Sequence, residues 1–296
     1  MQALTSIDLD GLRAFSKGKV RSVYDLGDKL LVVASDRISA FDYVLASGIP
    51  DKGKILTAIS AFWFRALAGV SAHHMIATDV GAYPPEARQH SDILRDRSML
   101  VWKAERIDME CIVRGYLAGS AWKEYSATGR VAGLELKPGL TLNARLDEPI
   151  FTPSTKSDEG HDRNITVEEM LDIVGAGPGK TLVERSLALF DKARQLADAR
   201  GITIIDTKFE FGYLGGKVIL IDEIFTPDSS RFLYKEAGSS QSINVDKQFI
   251  RDYLERIGWD KRPPAPELPA DVVAEARRRY LVILEKLTGE RPRWAV

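Results

Sequence analysis

Residues 204–212 read Ile204-Ile205-Asp206-Thr207-Lys208-Phe209-Glu210-Phe211-Gly212, and beyond a Gly215-Gly216 pair comes Val218-Ile219-Leu220-Ile221-Asp222-Glu223. Asp206, Lys208 and Glu210 alternate with apolar neighbours, the period-two pattern that sets three side chains on one face of a strand. A diglycine between two such runs is a hairpin turn, which would bring Glu210 close to Asp222. Two carboxylates around a lysine are costly to bury unless they serve one another or a cationic ligand. Oxygen ligands on neighbouring strands suit Mg²⁺, which takes one or two carboxylates plus substrate phosphates. A structural Asp-Lys-Glu ladder on a solvated sheet face satisfies the same pattern. The residues alone leave both readings open.

Upstream, Val20–Tyr24 and Leu30–Val33 flank the turn cluster Leu26-Gly27-Asp28-Lys29 and predict a hairpin. TAISAFWFRALAG, ending at Gly69, has helical spacing, and Met99–Trp102 and Cys111–Val113 read as strands. Leu136–Ser157 carries Pro138, Pro149 and Pro153 and reads as a long functional loop. Thr166 and Glu169 have capping-box spacing, opening a helix through Ile173; a second helix runs from Thr181 to Ala199. Downstream helices are expected near Val245–Ile257 and Asp271–Leu287, joined by the stiff connector KRPPAPELP. Strands and helices mix without βαβα alternation, so the fold class is α+β.

Two hundred and ninety-six residues allow one large domain or two modest ones. With 41 basic against 42 acidic side chains the net charge is −1, which argues against a general nucleic-acid binder. Cys111 is the sole cysteine, so neither an intrachain disulfide nor a multi-thiolate zinc site is available. No apolar run approaches the ~20 residues that span a bilayer, and MQALTSIDLDGL has no secretory h-region. A cytoplasmic protein without membrane association is expected.

Other segments carry polar chemistry. In Lys17-Gly18-Lys19-Val20-Arg21, Gly18 would let backbone approach a phosphate, with Lys19 and Arg21 on one strand face; a charge-protected edge strand reads the same way. Arg114 and Ser120 in Val113–Ser120 lie where a strand enters a helix, and Arg231 sits in the polar run Pro227-Asp228-Ser229-Ser230-Arg231. Serine near a helix N-terminus beside arginines suits a phosphate, although singly these are a cap and two surface charges. Asp36 and Ser39 in SDRISAFD, Lys54 after Gly53, and His161-Asp162 in SDEGHDRN are further polar positions. Gly175-Ala176-Gly177-Pro178-Gly179-Lys180-Thr181 imitates a P-loop, but Val174 stands where its first glycine is needed and Pro178 lacks a backbone N–H; a helix-to-helix turn is expected. No Gly-x-Ser-x-Gly elbow supports a hydrolase nucleophile.

Taken in order, GKVR, SDRISAFD, VRGYLAGSAWKEY, PIFTPSTK, DTKFEFG and DEIFTPDSSRF resemble the SAICAR synthetase family over nearly the whole chain, in its longer, fungal-like form. The resemblance implies an α+β fold with a kinase-like N-terminal β-rich lobe (residues 1–105). An ATP-grasp-like second lobe with C-terminal helices would follow (residues 106–296). It implies a ligase that uses ATP and Mg²⁺ to join L-aspartate to carboxyaminoimidazole ribonucleotide (CAIR). An amine cannot displace a carboxylate oxygen unless that oxygen is first activated, here by phosphorylation, and such transfer relies on positioning and charge neutralisation.

Carried over by motif, Gly18, Lys19 and Arg21 would hold the ATP phosphates, and Lys103 and Glu110 would lie along the adenosine hinge. Glu210 and Asp222 would ligate Mg²⁺, with Lys208 neutralising charge between the substrates. Arg114, Ser120 and Arg231 would grip the CAIR 5′-phosphate, and Asp206 would orient its base or ribose. Asp36, Ser39, Lys54, His161 and Asp162 are candidates for the substrate carboxylates. A small-molecule kinase would need the same Mg-ATP parts and is the rival reading; a non-catalytic nucleotide sensor is a second. Resemblance to the longer form favours a monomer, with a dimer left open.

Overall fold

The central strand owes its length to burial on both faces. In the computed structural model, which describes residues 2–155, 163–236, 238 and 241–295, one strand runs unbroken from Ile202 to Leu214. Its Ile202, Ile204, Phe209 and Phe211 belong to one buried cluster. Even and odd positions can share that core because the register against the neighbouring strand slips between Ile204 and Asp206. The extra residue, Ile205, is a β-bulge that rotates the rest of the strand by one face, as bulges beside functional sites do. Asp206, Lys208 and Glu210 are thereby turned off the core.

The elements in chain order begin with β1 (Ala14–Lys17), β2 (Arg21–Asp25), β3 (Lys29–Ala34), β4 (Arg37–Ala40), β5 (Tyr43–Gly48), α1 (Lys52–Ala66) and β6 (Met75–Ala77). Two single-turn helices, α2 (Pro85–Arg88) and α3 (Ser91–Leu94), precede β7 (Ser98–Trp102), β8 (Glu105–Arg106) and β9 (Met109–Tyr116). Next come α4 (Gly119–Thr128), β10 (Arg130–Val131), β11 (Leu134–Glu135), β12 (Arg145–Thr155), β13 (Arg163–Asn164), α5 (Val167–Val174) and α6 (Ala176–Asp198). The chain finishes with β14 (Ile202–Leu214), β15 (Lys217–Ile221), β16 (Ser230–Lys235), β17 (Ser242–Asn244), α7 (Gln248–Arg256) and α8 (Ala270–Thr288).

A five-stranded sheet has the order β1-β2-β3-β7-β6, and an eight-stranded sheet the order β13-β12-β9-β14-β16-β17, with β8 and β15 also paired to β14. The break between sheets falls between β7 and β8, next to position 105. The main core nevertheless crosses it, since Ile55, Trp63 and Val101 pack in one cluster with Val113, Phe209 and Leu284. The β4–β5 hairpin likewise shares a core with α7 and α8 through Ile38, Leu45, Ile250 and Val272. The capping box at Thr166 is complete: its side chain accepts from Glu169 N, and the Glu169 carboxylate accepts from Thr166 N.

Three expectations need correction. The stretch expected to be a loop contains β12, an 11-residue strand paired along β9. Pro149 and Pro153 are tolerated there because its outer neighbour is the two-residue β13, which leaves most of β12 as an edge. Lys19 and Arg21 do not share a strand face, because the chain reverses between β1 and β2 and leaves Gly18 to Val20 in the turn. The helix-to-helix turn expected at the P-loop imitation is present but confined to Gly175, at φ 86°, so α6 begins at Ala176 rather than at Thr181.

Candidate active site

Antiparallel register lays the polar side chains out as a grid. Asp206 pairs with Arg114 on β9 and with Arg231 on β16, Lys208 pairs with Ile112, and Arg114 pairs with Ile150 on β12. Alternate residues point the same way, so Asp206, Lys208 and Glu210 form a row about 13 Å long on the face away from the core.

At one end lies a cavity of about 240 Å³ lined by Arg114, Ser120, Asp206, Arg231, Lys247 and Arg251 among others. The Arg114 guanidinium is buried and fully directed: Nε donates to Thr152 Oγ1 at 2.9 Å, Nη2 to Ser120 Oγ at 3.1 Å, and Nη1 lies 3.5 Å from Asp206 Oδ2. Burial lowers its pKa against the pull of Asp206. Arg231 donates to the same carboxylate oxygen. Ser120 is not the helix cap, since Ala118 occupies that position; its hydroxyl serves Arg114 instead. Gly119, at φ +56°, lets Arg231 pass, because a Cβ there would lie 2.6 Å from the guanidinium carbon. Two guanidinium groups around one carboxylate leave a net positive end, suited to a phosphate.

In the middle, Lys208 donates to Glu110 and lies 3.7 Å from Glu210 Oε1. Burial alone would lower the Lys208 pKa, but the two carboxylates outweigh it and raise it. At the far end Arg21, on the five-stranded sheet, reaches Asp222 Oδ2 at 2.8 Å and Glu223 Oε1 at 3.3 Å. Burial would lower the Arg21 pKa, but Asp222, Glu223 and Glu210 together raise it. Asp222, the residue after β15, has φ 63°, a left-handed conformation uncommon outside glycine. Its carbonyl accepts from His74 Nε2 at 3.1 Å, and burial holds that imidazole neutral, its pKa lowered to about 4.

Glu210 pairs in register with Ile221, which places Asp222 one residue away. Among the described residues no group of three or more His, Cys, Asp or Glu could enclose a metal by itself. A pair of carboxylates on adjacent strands is the donor set expected of Mg²⁺ that completes its shell with phosphates and water. The residues therefore fit such an ion.

The remaining positions singled out from the sequence are spread over several elements. Lys103 pairs with Asp25 at 3.0 Å and lies over the Phe15 ring at 5.1 Å, whereas Glu110 is on β9 beside Lys208. The expected hinge pair is thus divided between two sheets. Lys19 pairs with Asp42 at 2.6 Å on the rim, at the tip of the β4–β5 hairpin. Asp36 is turned inward: it accepts from Leu4 N, Gly53 N and Arg97, so it anchors α1 to β3 and presents no group to a substrate. Ser39 is half-buried on β4. Lys54 is on α1, 3.7 Å from Asp51 and over the Trp294 ring. Gly53 serves close packing, a Cβ there falling 2.8 Å from Arg97 Nη1. His161 and Asp162 lie outside the described residues.

Four residues not singled out from the sequence also belong to this region. Asp228 Oδ2 lies 2.6 Å from Lys52 Nζ and 3.1 Å from Lys247 Nζ, while Oδ1 accepts from the Tyr280 hydroxyl at 3.3 Å. Burial would raise the Asp228 pKa, but the lysines hold it down at about 2. Nothing in sequence spacing marks Lys52 rather than Lys54, because both lie on one amphipathic helix and only packing buries the former.

The SAICAR synthetase family model matches residues 14–266. A phosphoribosylaminoimidazole-succinocarboxamide synthase from Pelobacter propionicus is 50% identical over 287 residues, covering 95% of this chain and 96% of that protein. The one from Trichlorobacter lovleyi is 49% identical over 293 residues, covering 97% and 98%. SAICAR synthase from Saccharomyces cerevisiae, solved in complex with SAICAR, superposes with a TM-score of 0.85 at 38% identity, covering 98% of this chain and 99% of that one. A SAICAR synthetase solved with ADP shares the fold at a TM-score of 0.68 and 24% identity, covering 94% and 98%. The likeness to the yeast structure is the greater of the two. The chain belongs to the SAICAR synthetase family, ATP-dependent ligases that condense L-aspartate with CAIR to give SAICAR, ADP and phosphate in de novo purine biosynthesis.

Proposed function

We propose that the row from Arg231 through Lys208 to Asp222 orders the reactants of this ligation. The observation that carries the reading is the segregation of charge along the row. A positive end is built from Arg114 and Arg231, a lysine stands between two carboxylates, and an acidic end faces Arg21. Arg114, Ser120 and Arg231 hold the 5′-phosphate of CAIR, and Asp206 orients its ribose or base. At the other end Arg21, with Gly18 and Lys19 on the rim, holds the ATP phosphates, and Lys103 marks the adenosine side. Residues 1–105 thus act as the nucleotide lobe and 106–296 as the CAIR lobe. Glu210 and Asp222 hold Mg²⁺, which supplies charge neutralisation on the phosphates.

The chemistry follows from this order. A CAIR carboxylate oxygen attacks the ATP γ-phosphorus, the bond to the β-phosphate oxygen breaks, and ADP leaves. Lys208 neutralises charge between the two anions as they approach. The aspartate amine then attacks the acyl phosphate carbon, phosphate departs with the former carboxylate oxygen, and the nitrogen loses a proton. Glu110 keeps Lys208 charged and aimed. We further read the enzyme as a monomer acting in the cytoplasm; among the described residues no helix is long and apolar enough to cross a membrane.

The test is ADP release from purified protein with Mg-ATP and CAIR, with and without L-aspartate. Aspartate-dependent ADP release matched by SAICAR formation is expected. ADP release with CAIR that ignores aspartate would indicate transfer without amine capture, as in the kinase reading, and would overturn the ordering.

A further inference from the structure

Two cavities away from the row, of about 670 and 630 Å³, share Thr78 and Asp96 in their walls and so join into one cleft. Each lies within the ~300–1,000 Å³ usual for a small-molecule site. The cleft has no wall residue in common with the cavity at Arg114 and Arg231, and only Thr57 in common with a smaller one at Arg21 and Asp222. Its chemistry changes along its length. At the end beside α1, the small side chains of Ala58 and Ala61 leave room next to the half-buried rings of Phe62 and Trp294. At the waist stand Thr78 and the exposed Asp96, with Arg65 donating to Thr78 Oγ1 at 3.3 Å. At the other end Arg88, closing α2, and Arg95, just after α3, are both exposed. Among the described residues neither guanidinium has a hydrogen-bond or ion-pair partner. Asp79, on the same side, accepts from Gly81 N at 2.9 Å.

We propose that this cleft is a second nucleotide site, taking a nucleoside monophosphate with its base at Phe62 and Trp294, its ribose at Asp96 and its phosphate at Arg88 and Arg95. Bases stack on aromatic side chains, a carboxylate accepts from ribose hydroxyls, and guanidinium groups pair with phosphate through charge-assisted hydrogen bonds. These three surroundings succeed one another along the cleft in the order in which a nucleotide presents its parts. Asp79 and Asp96 balance Arg88 and Arg95 in number, so the field over this end is weak and recognition rests on directed contacts. That balance favours a monophosphate over a more highly charged triphosphate. The site is separate from the ligation and does not depend on how the row is assigned.

The test is calorimetric titration of the whole protein with guanosine 5′-monophosphate, which lacks the phosphoanhydride that the ligation consumes. A binding event with a Kd below about 1 mM is expected. The double variant Arg88→Ala/Arg95→Ala should weaken that event about 10- to 100-fold, the factor carried by a hydrogen bond to a charged group, while turnover keeps its wild-type value. Arg231→Ala should leave the event unchanged, whereas binding at the ligation site would respond to Arg231→Ala and ignore the double variant. Ribose 5-phosphate, without the base, should bind the cleft about 5- to 100-fold more weakly than the nucleotide. Guanosine, without the phosphate, should not distinguish the double variant from the wild type. Trp294→Ala should remove the advantage of the nucleotide over ribose 5-phosphate; if that variant does not fold, the comparison of the two ligands on the wild type decides the point. The absence of a saturable event, or wild-type affinity for every event in the double variant, would overturn the proposal. Equal affinity for ribose 5-phosphate and the nucleotide would overturn it too, because the aromatic end would then hold no base.

Discussion

Replacing Arg231 with Ala should separate the two substrates. Arg231 donates to Asp206, and its side chain is 25% exposed at the mouth of the cavity, so one edge of the guanidinium is available to a ligand. Hydrogen bonds to charged groups contribute about 1.5–3 kcal/mol, which is about 10- to 150-fold in a binding constant. The KM for CAIR should rise by that factor. The KM for ATP, whose phosphates the proposal places beyond Lys208, should change by less than about twofold. Folding should suffer little: Asp206 keeps Arg114, and a partly exposed ion pair contributes about 1 kcal/mol or less, or a few degrees in Tm. Arg231→Lys should fall between, because it restores charge without the planar fork. Initial rates over a matrix of CAIR and ATP concentrations, with a thermal melt of each variant, decide it. An unchanged CAIR KM, or KM values for ATP and CAIR that rise together, would refute the assignment of this end of the row.

Asp222→Asn should lower turnover by about 10²- to 10³-fold, the usual cost of losing one group that stabilises transition-state charge, while CAIR binding partly survives; near-normal turnover would dismiss the metal assignment. Gly119→Ala should raise the CAIR KM without touching that for ATP, since its Cβ would displace Arg231 and its φ of +56° costs an alanine about 1–2 kcal/mol; a CAIR KM equal to wild type would show that Arg231 does not need this approach. His74 is held neutral with a pKa near 4, so the unfolded chain binds its proton first as pH falls below about 6.5 and the folded state loses stability from there down to about 4. That loss should reach about 3 kcal/mol and be missing in His74→Gln; denaturant melts at pH 7, 5.5 and 4.5 that show equal slopes for both proteins would exclude it.

Local pattern determined much of this protein. The alternation in residues 204–212, the diglycine hairpin and the acidic end at Asp222 depend on neighbours in sequence, so the middle and acidic end of the row are legible in the sequence. So is the capping box at Thr166, whose hydrogen bonds close within four residues. The ordered motifs likewise identified the family, because they preserve the side chains that chemistry requires.

What tertiary structure alone decided depends on register and burial. The bulge at Ile205, which aims the acidic face, comes from pairing with β16 and has no signature in residue type. β12 is a strand despite its prolines because it lies next to the sheet edge. Asp36 is an anchor because Arg97, sixty-one residues away, closes over it. Lys19 and Arg21 part company because the chain reverses between them. Lys52, Asp228, Lys247 and Tyr280 meet only when α1, the loop before β16, and α8 converge, and a buried charge is recognised by the partner that compensates it. Sequence spacing fixes which way a side chain points along one element; which charge it meets is settled by the packing of elements far apart in the chain.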